Sequence, residues 1–115
     1  MNIVDLDNSV PALASKADEQ TSILRKAVDY LILTTDGMVI GTATAGAVIL
    51  TLPNIDTNND GKKRIVGSEG NAVNAVTLAA DATDTIAGAA THVFAANTTI
   101  EIIADLATNN WIIIL

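Results

Sequence analysis

The chain of 115 residues contains no cysteine, a single histidine and only three aromatic residues. Without cysteine it can form neither disulfides nor thiolate metal sites, and it has no thiol nucleophile. Because the aromatic residues are limited to Tyr30, Phe94 and Trp111, the core of this 50% hydrophobic chain must be mainly aliphatic. A thin aliphatic core in one small domain gathers limited buried area, so we expect a homo-oligomer.

Positive charge is also scarce, since six Lys and Arg residues stand against thirteen acids and give a net charge of −7. This balance argues against a nucleic-acid partner, because neutralising phosphates requires a basic face. The dense basic cluster is Lys62, Lys63 and Arg64, and strand alternation would place Lys63 on the opposite face from the other two. We expect a solvated strand edge here that discourages edge-to-edge pairing. A salt-bridging patch toward an acidic neighbour is the alternative.

Targeting and membrane segments are not evident in the sequence. The N-terminus lacks a basic region followed by an apolar run, which predicts no secretory signal. No apolar run approaches the roughly twenty residues that a membrane helix requires. We therefore expect a protein that is soluble or belongs to a soluble assembly.

From Tyr30 onward the chain consists of short runs rich in Val, Ile and Thr, separated by Asp, Asn and Gly. This pattern predicts an antiparallel β-sandwich or barrel of about eight short strands over residues 30–115. Asp36-Gly37 predicts a two-residue hairpin, and the GSEGN segment at residues 67–71 predicts a turn. The last run, WIIIL, carries no charge, so we expect it to be a central strand or an interface strand.

Residues 1–29 differ from the rest, and we assign them to an N-terminal arm and helix. Ser15 followed by Asp18 fits a helix start, and apolar residues from Ile23 onward recur at helical spacing. The pattern predicts one amphipathic helix from about Ser15 to Val28.

Asp56, Asn58, Asp60 and Gly61 match the opening of a calcium-binding loop. The acid expected at the twelfth loop position is missing, because Gly67 stands there. A polar turn rich in Asx residues explains the same letters without a metal, so we predict no metal and no cofactor.

Catalytic constellations are not predicted either. Asp81 and Asp84 are close in sequence, but their turn-like context is typical of solvated carboxylates. His92 has no companions at a spacing that makes a zinc site or a triad, so it is expected to be a partly buried or interface residue. We therefore expect a structural or binding protein and not an enzyme.

A succession of strand and turn signatures runs through residues 47–115: AVILTLP, GKKRIVG, AVTLAADATDTIAG and NNWIIIL. It resembles a β-rich module of tailed-bacteriophage structural proteins. The positions that match are Thr51, Leu52, Pro53, Gly61, Lys62, Val76, Thr77, Asp84, Thr85, Ile86, Gly88, Asp105 and Trp111.

The resemblance implies a virion protein on the capsid surface, most simply a capsid cement (decoration) protein that binds the assembled head as a trimer. A tail-fibre, head-fibre or spike module for host attachment is the alternative. The expected partners are copies of the chain and the major capsid protein or another virion protein, with no membrane. We expect partner contacts at Ile3, Val4, Leu6, Ile23, Leu24, Lys62, Lys63 and Arg64, and oligomer contacts at Phe94, Trp111 and Ile113.

Overall fold

The computed structural model describes residues 23–69 and 74–115, and this part of the chain is mainly β. Ten strands lie in two sheets. Their bounds are β1 Leu24–Lys26, β2 Tyr30–Leu31, β3 Val39–Thr42, β4 Val48–Thr51, β5 Lys63–Glu69, β6 Val76–Ala79, β7 Thr85–Ile86, β8 Thr91–Phe94, β9 Thr98–Asp105 and β10 Asn110–Ile113.

The first nine strands alternate between the two sheets. The six-stranded sheet has the order β1-β3-β5-β9-β10-β7, and the four-stranded sheet has the order β2-β4-β6-β8. Neighbours among β1, β3 and β5 pair in parallel, as do neighbours among β2, β4 and β6. Parallel partners need a long crossover connection, and here each crossover contains a strand of the other sheet.

The prediction of a mainly β fold is therefore confirmed, and the strands form two sheets, but the prediction of wholly antiparallel pairing is wrong. Among the described strands, the antiparallel pairs are β5 with β9, β9 with β10, and β6 with β8. The hairpin predicted at Asp36-Gly37 is also wrong, because β2 and β3 belong to different sheets. A type I′ hairpin needs positive φ at both central residues, and Gly37 does not have it.

The predicted helix from Ser15 to Val28 is wrong over its last part, and residues 15–22 lie outside the described residues. Leu24–Lys26 is strand β1, and it pairs with β3 through the register Leu24 to Val39. Leu24 packs against the core, whereas Arg25 points outward and forms an ion pair of 2.6 Å with Glu69. Alternate residues thus face opposite sides, and tertiary pairing overrides the helical spacing of the apolar residues. The domain boundary at residue 30 stays a prediction, although β1 lies ahead of it.

The buried faces of the two sheets share one aliphatic core. Each sheet contributes fully buried side chains, such as Val39 and Ile102 from one and Leu50 and Leu78 from the other. Trp111 is the largest of the buried side chains. The composition predicted this aliphatic character, since one tryptophan and one phenylalanine complete a core of Val, Leu, Ile and Ala.

The final run behaves as predicted for its position in the sheet. Strand β10 lies between β9 and β7, so it is a central strand. Its Trp111 is 1% exposed and Phe94 of β8 is 6% exposed. Both belong to the core of a single chain and offer little surface to a second copy, which corrects their assignment to an oligomer interface. Ile113 is half-buried, and the interface itself stays a prediction.

Within residues 23–69 and 74–115, the structure has no helix long and apolar enough to cross a membrane.

Candidate functional site

The basic cluster divides between the two faces of the six-stranded sheet, as the alternation predicted. The Lys62 carbonyl accepts a hydrogen bond from the Ala104 amide, and Ala104 is paired with Trp111, so these three residues lie side by side on the inner face. Arg64 is paired with the fully buried Ile102 on that same face. Lys63 faces outward, where its ammonium lies 3.6 Å from the Glu101 carboxylate.

Arg64 lies beneath the loop that connects β2 with β3. Its guanidinium donates to the carbonyl of Asp36 at 3.3 Å and to that of Thr34 at 3.5 Å. Burial lowers the pKa of this guanidinium, and the nearby Asp36 charge opposes that effect. Arginine stays protonated in proteins, so a positive charge is fixed at the inner end of the sheet.

Asp36 ties the same loop to the four-stranded sheet. Its Oδ2 accepts a hydrogen bond of 2.6 Å from the Tyr30 hydroxyl and one of 2.8 Å from the Leu33 amide. The hydrogen bond to Asp36 is the main cause that raises the pKa of Tyr30 above its ordinary value of 10.0, with desolvation second. Lys26 lies 4.3 Å from the centre of the Tyr30 ring, which adds a cation–π contact.

A cavity of about 240 Å³, which we name the basic cavity, opens between this loop, the Asn58–Asn59 turn and the start of β5. Its walls include Thr34, Asp36, Asn58, Lys62, Arg64 and Trp111. The lining is thus rich in hydrogen-bond donors and brings cations together in a chain whose net charge is −7.

Two of the lining residues hold buried donors without a partner. These are the Nε–H of Arg64 and the Nε1–H of Trp111. The buried hydroxyl of Thr42, which does not line the cavity, also lacks a hydrogen-bond partner. Leaving such a donor unpaired costs about 1–3 kcal/mol, more for a charged group. Unsatisfied buried groups in folded proteins usually mark a water, an ion or a functional site.

The predicted calcium loop is organised by its own side chains. Asp56 Oδ1 accepts from the amides of Asn58 and Asn59 at 2.9 and 3.2 Å, as in an Asx turn. Asp60 Oδ1 accepts from the distant amide of Leu106 at 2.9 Å. Over residues 23–69 and 74–115, no group of three or more His, Cys, Asp or Glu side chains could hold a metal ion.

Asp84 is not solvated, contrary to the prediction from its turn-like context. It is 4% exposed, and its Oδ2 accepts from the Ile55 amide at 2.9 Å. Its role is to anchor the segment that follows Pro53 to the β6–β7 connection. His92 is half-buried and packs edge-on against Phe94 with ring centres 5.0 Å apart.

The outer face of the four-stranded sheet is a feature that sequence reasoning missed. Strand pairing and the burial of alternate residues place two cross-strand rows there, and no member of either row is charged. We name this the uncharged face: Leu31, Thr51, Ala79 and Thr91 in one row, and Ile49, Thr77 and Val93 in the other.

The uncharged face exposes large apolar side chains, with Leu31 59%, Ile49 45% and Val93 61% exposed. Beside it, an open groove of about 440 Å³ continues the apolar surface through Leu33 and Pro53. The corresponding face of the six-stranded sheet instead carries the Arg25–Glu69 and Lys63–Glu101 ion pairs. The alternation of residues along each strand could have indicated this difference in charge between the two outer faces, if it had been known which strands belong to which sheet.

The remaining predicted partner residues fall in different places. Ile3, Val4 and Leu6 lie outside the described residues. Ile23 is exposed and adjoins β1, whereas Leu24 is half-buried against the core. All three residues of the basic cluster border the basic cavity, but the ammonium of Lys63 is engaged by Glu101 on the outer face.

No family model, curated protein or solved structure matches the chain.

Proposed function

We propose that the chain is a virion structural protein, a capsid cement protein that binds the assembled phage head as a trimer. The proposal rests on the signatures in residues 47–115 that resemble a phage β-module. It treats the two sheets as a sandwich-like body and the N-terminal residues, including the predicted helix start at Ser15, as an arm. Catalysis plays no part in it.

The uncharged face is the observation that carries this proposal. A chain with a net charge of −7 repels its own copies wherever acidic surfaces meet. An uncharged face of Leu, Ile, Val, Thr and Ala can pack against an identical chain without that repulsion, so its occupant in the proposal is a second copy. Exposed apolar surface of this kind commonly marks an association site.

The capsid contact in this proposal uses the arm and the basic cluster at Lys62–Arg64. Acidic overall charge would complement a basic coat-protein surface and fix the register of docking more than its strength. The mechanism is mass action, since a ligand that binds only the assembled shell stabilises that shell.

Deletion of residues 1–14 tests the arm. The truncated protein is expected to keep its β-body and to lose capsid decoration, because every strand that the structure describes lies at or beyond Leu24. Circular dichroism would report the fold, and cosedimentation with expanded empty capsids would report decoration.

Full occupancy of capsids by the truncated protein would contradict the arm assignment. Binding of the complete chain to host cells, but not to capsids, would replace the cement function with the fibre or spike alternative.

A further inference from the structure

The basic cavity has features of a ligand site that go beyond the capsid contact proposed for the Lys62–Arg64 cluster. It collects donors from three separate parts of the fold: the β2–β3 loop, the start of β5 and the central strand β10. Its volume of about 240 Å³ is several times the roughly 30 Å³ that one water occupies in the liquid. The residues that hold the unpaired donors thus border this space.

We propose that the basic cavity binds a carboxylate group, with Lys62, Arg64 and Trp111 as its donors. Buried donors in a cavity call for an acceptor, and the indole and guanidinium groups can only donate. Charge-assisted hydrogen bonds to an oxyanion are shorter and stronger than neutral ones. An anionic acceptor therefore satisfies this site better than water does.

The fixed charges of the cavity select a group with one negative charge. Lys62 and Arg64 contribute two positive charges and Asp36 one negative charge, which leaves one positive charge to be balanced. Lys63 also borders the cavity, but its ammonium is engaged by Glu101. A carboxylate neutralises the one remaining positive charge, whereas a phosphate dianion would bring one negative charge too many.

The existing contacts leave the Arg64 guanidinium and the Lys62 ammonium able to turn toward such a ligand. The Arg64 guanidinium holds its two loop carbonyls at 3.3 and 3.5 Å, which are long hydrogen bonds that cost little to rearrange. Lys62 is exposed, and no acid among the described residues forms an ion pair with it. The Oδ2 of Asp36 already accepts from the Tyr30 hydroxyl and the Leu33 amide, so it does not compete for the cavity's donors.

The carboxylate can come from a free organic acid or from an acidic side chain of a neighbouring protein, and the experiment separates these sources. The sequence contains one tryptophan, so the indole N–H of Trp111 gives a single, unambiguous NMR signal. We would titrate the full chain with acetate, with N-acetylaspartic acid amide, with inorganic phosphate and with chloride at constant ionic strength.

The expected result is a saturable shift of the indole proton with the two carboxylates, and weaker effects of phosphate and chloride. Tighter binding of the aspartate compound points to a protein side chain, and equal binding points to a free acid. No saturable shift, or an equal shift with chloride, would overturn the proposal and leave water as the occupant. Stronger binding of phosphate would overturn the assignment to carboxylate.

A pair of variants tests the donors. Lys62→Gln removes an exposed cation at the cavity and is expected to weaken carboxylate binding roughly ten-fold, as the loss of a charge-assisted contact does. The control Arg25→Gln removes the same charge from the outer face and should change the affinity less than about two-fold. Equal losses in both variants would show that only the net charge matters, which would contradict a site in the cavity.

Discussion

At the scale of single residues, Tyr30 and Asp36 decide how the β2–β3 loop is held. One carboxylate oxygen of Asp36 receives both the Tyr30 hydroxyl and the Leu33 amide. Arg64 holds the same loop by donating hydrogen bonds to the loop's carbonyl oxygens. The loop that replaces the predicted hairpin is therefore stabilised by side chains from both sheets.

This arrangement predicts a pH dependence. The phenol of Tyr30 is held protonated by Asp36, so its pKa in the folded chain lies above 10.0. The stabilisation is complete at pH values below the unfolded pKa and is lost as the pH rises through the raised folded value. Because the sequence has one tyrosine, absorbance near 295 nm follows this group alone.

Asp36→Asn removes the charged acceptor, and we expect the pKa of Tyr30 to fall toward 10.0 in that variant. Glu69→Gln removes an acid on the outer face and should leave the titration midpoint unchanged. An unchanged midpoint in Asp36→Asn would show that desolvation, and not the hydrogen bond, controls the phenol.

At the scale of secondary-structure elements, the close approach of β5 to β9 depends on glycine. The segment at Gly67 was predicted to be a turn, but it lies inside β5 and is paired with Thr99. A Cβ built at Gly67 would lie 2.5 Å from the carbonyl oxygen of Thr98, which is backbone and cannot move cheaply. The strand thus excludes a side chain at this position.

We expect Gly67→Ala to lower the free energy of unfolding by about 1–3 kcal/mol or more through this overlap. Gly46→Ala is a matched control, since a Cβ there meets nothing within 4 Å, and its effect should stay within about 0.5 kcal/mol. Urea denaturation followed by Trp111 fluorescence measures both. Equal stability of the two variants would show that β5 and β9 can separate without cost.

At the scale of the whole molecule, the two outer faces differ in charge. The six-stranded sheet carries ion pairs on its outer surface, whereas the uncharged face presents Leu31, Ile49 and Val93 to solvent. If copies of the chain associate through the uncharged face, only substitutions on that side should break the oligomer.

Val93→Asp places a carboxylate on the uncharged face and is expected to raise the dissociation constant of the proposed trimer by at least about ten-fold, because the charge would be buried without a partner. Ile112→Asp, at a 44% exposed position of the other sheet, is the control and should leave the trimer intact. Sedimentation equilibrium measures both variants. A monomeric wild-type chain, or loss of the trimer in Ile112→Asp alone, would contradict the assignment of the face.

The sequence predicted part of the basic cavity but not the whole of it. Alternation correctly separated Lys63 from Lys62 and Arg64, because the side chains of successive strand residues point to opposite faces. The convergence of Trp111 and the β2–β3 loop on that cluster could not be inferred, since it depends on which strands become neighbours. Likewise, nothing in the turn-like setting of Asp84 indicated that it would be buried and would accept a hydrogen bond from the Ile55 amide.

The sequence by itself determined that the chain forms short strands around an aliphatic core, because composition and spacing act locally along the chain. Only the tertiary structure decided the parallel pairing, the fate of Leu24–Lys26 as a strand and the charge difference between the two outer faces. These properties depend on contacts between residues far apart in sequence, such as Val39 with Val66 or Arg25 with Glu69. Local preferences do not encode which distant partner a strand will find.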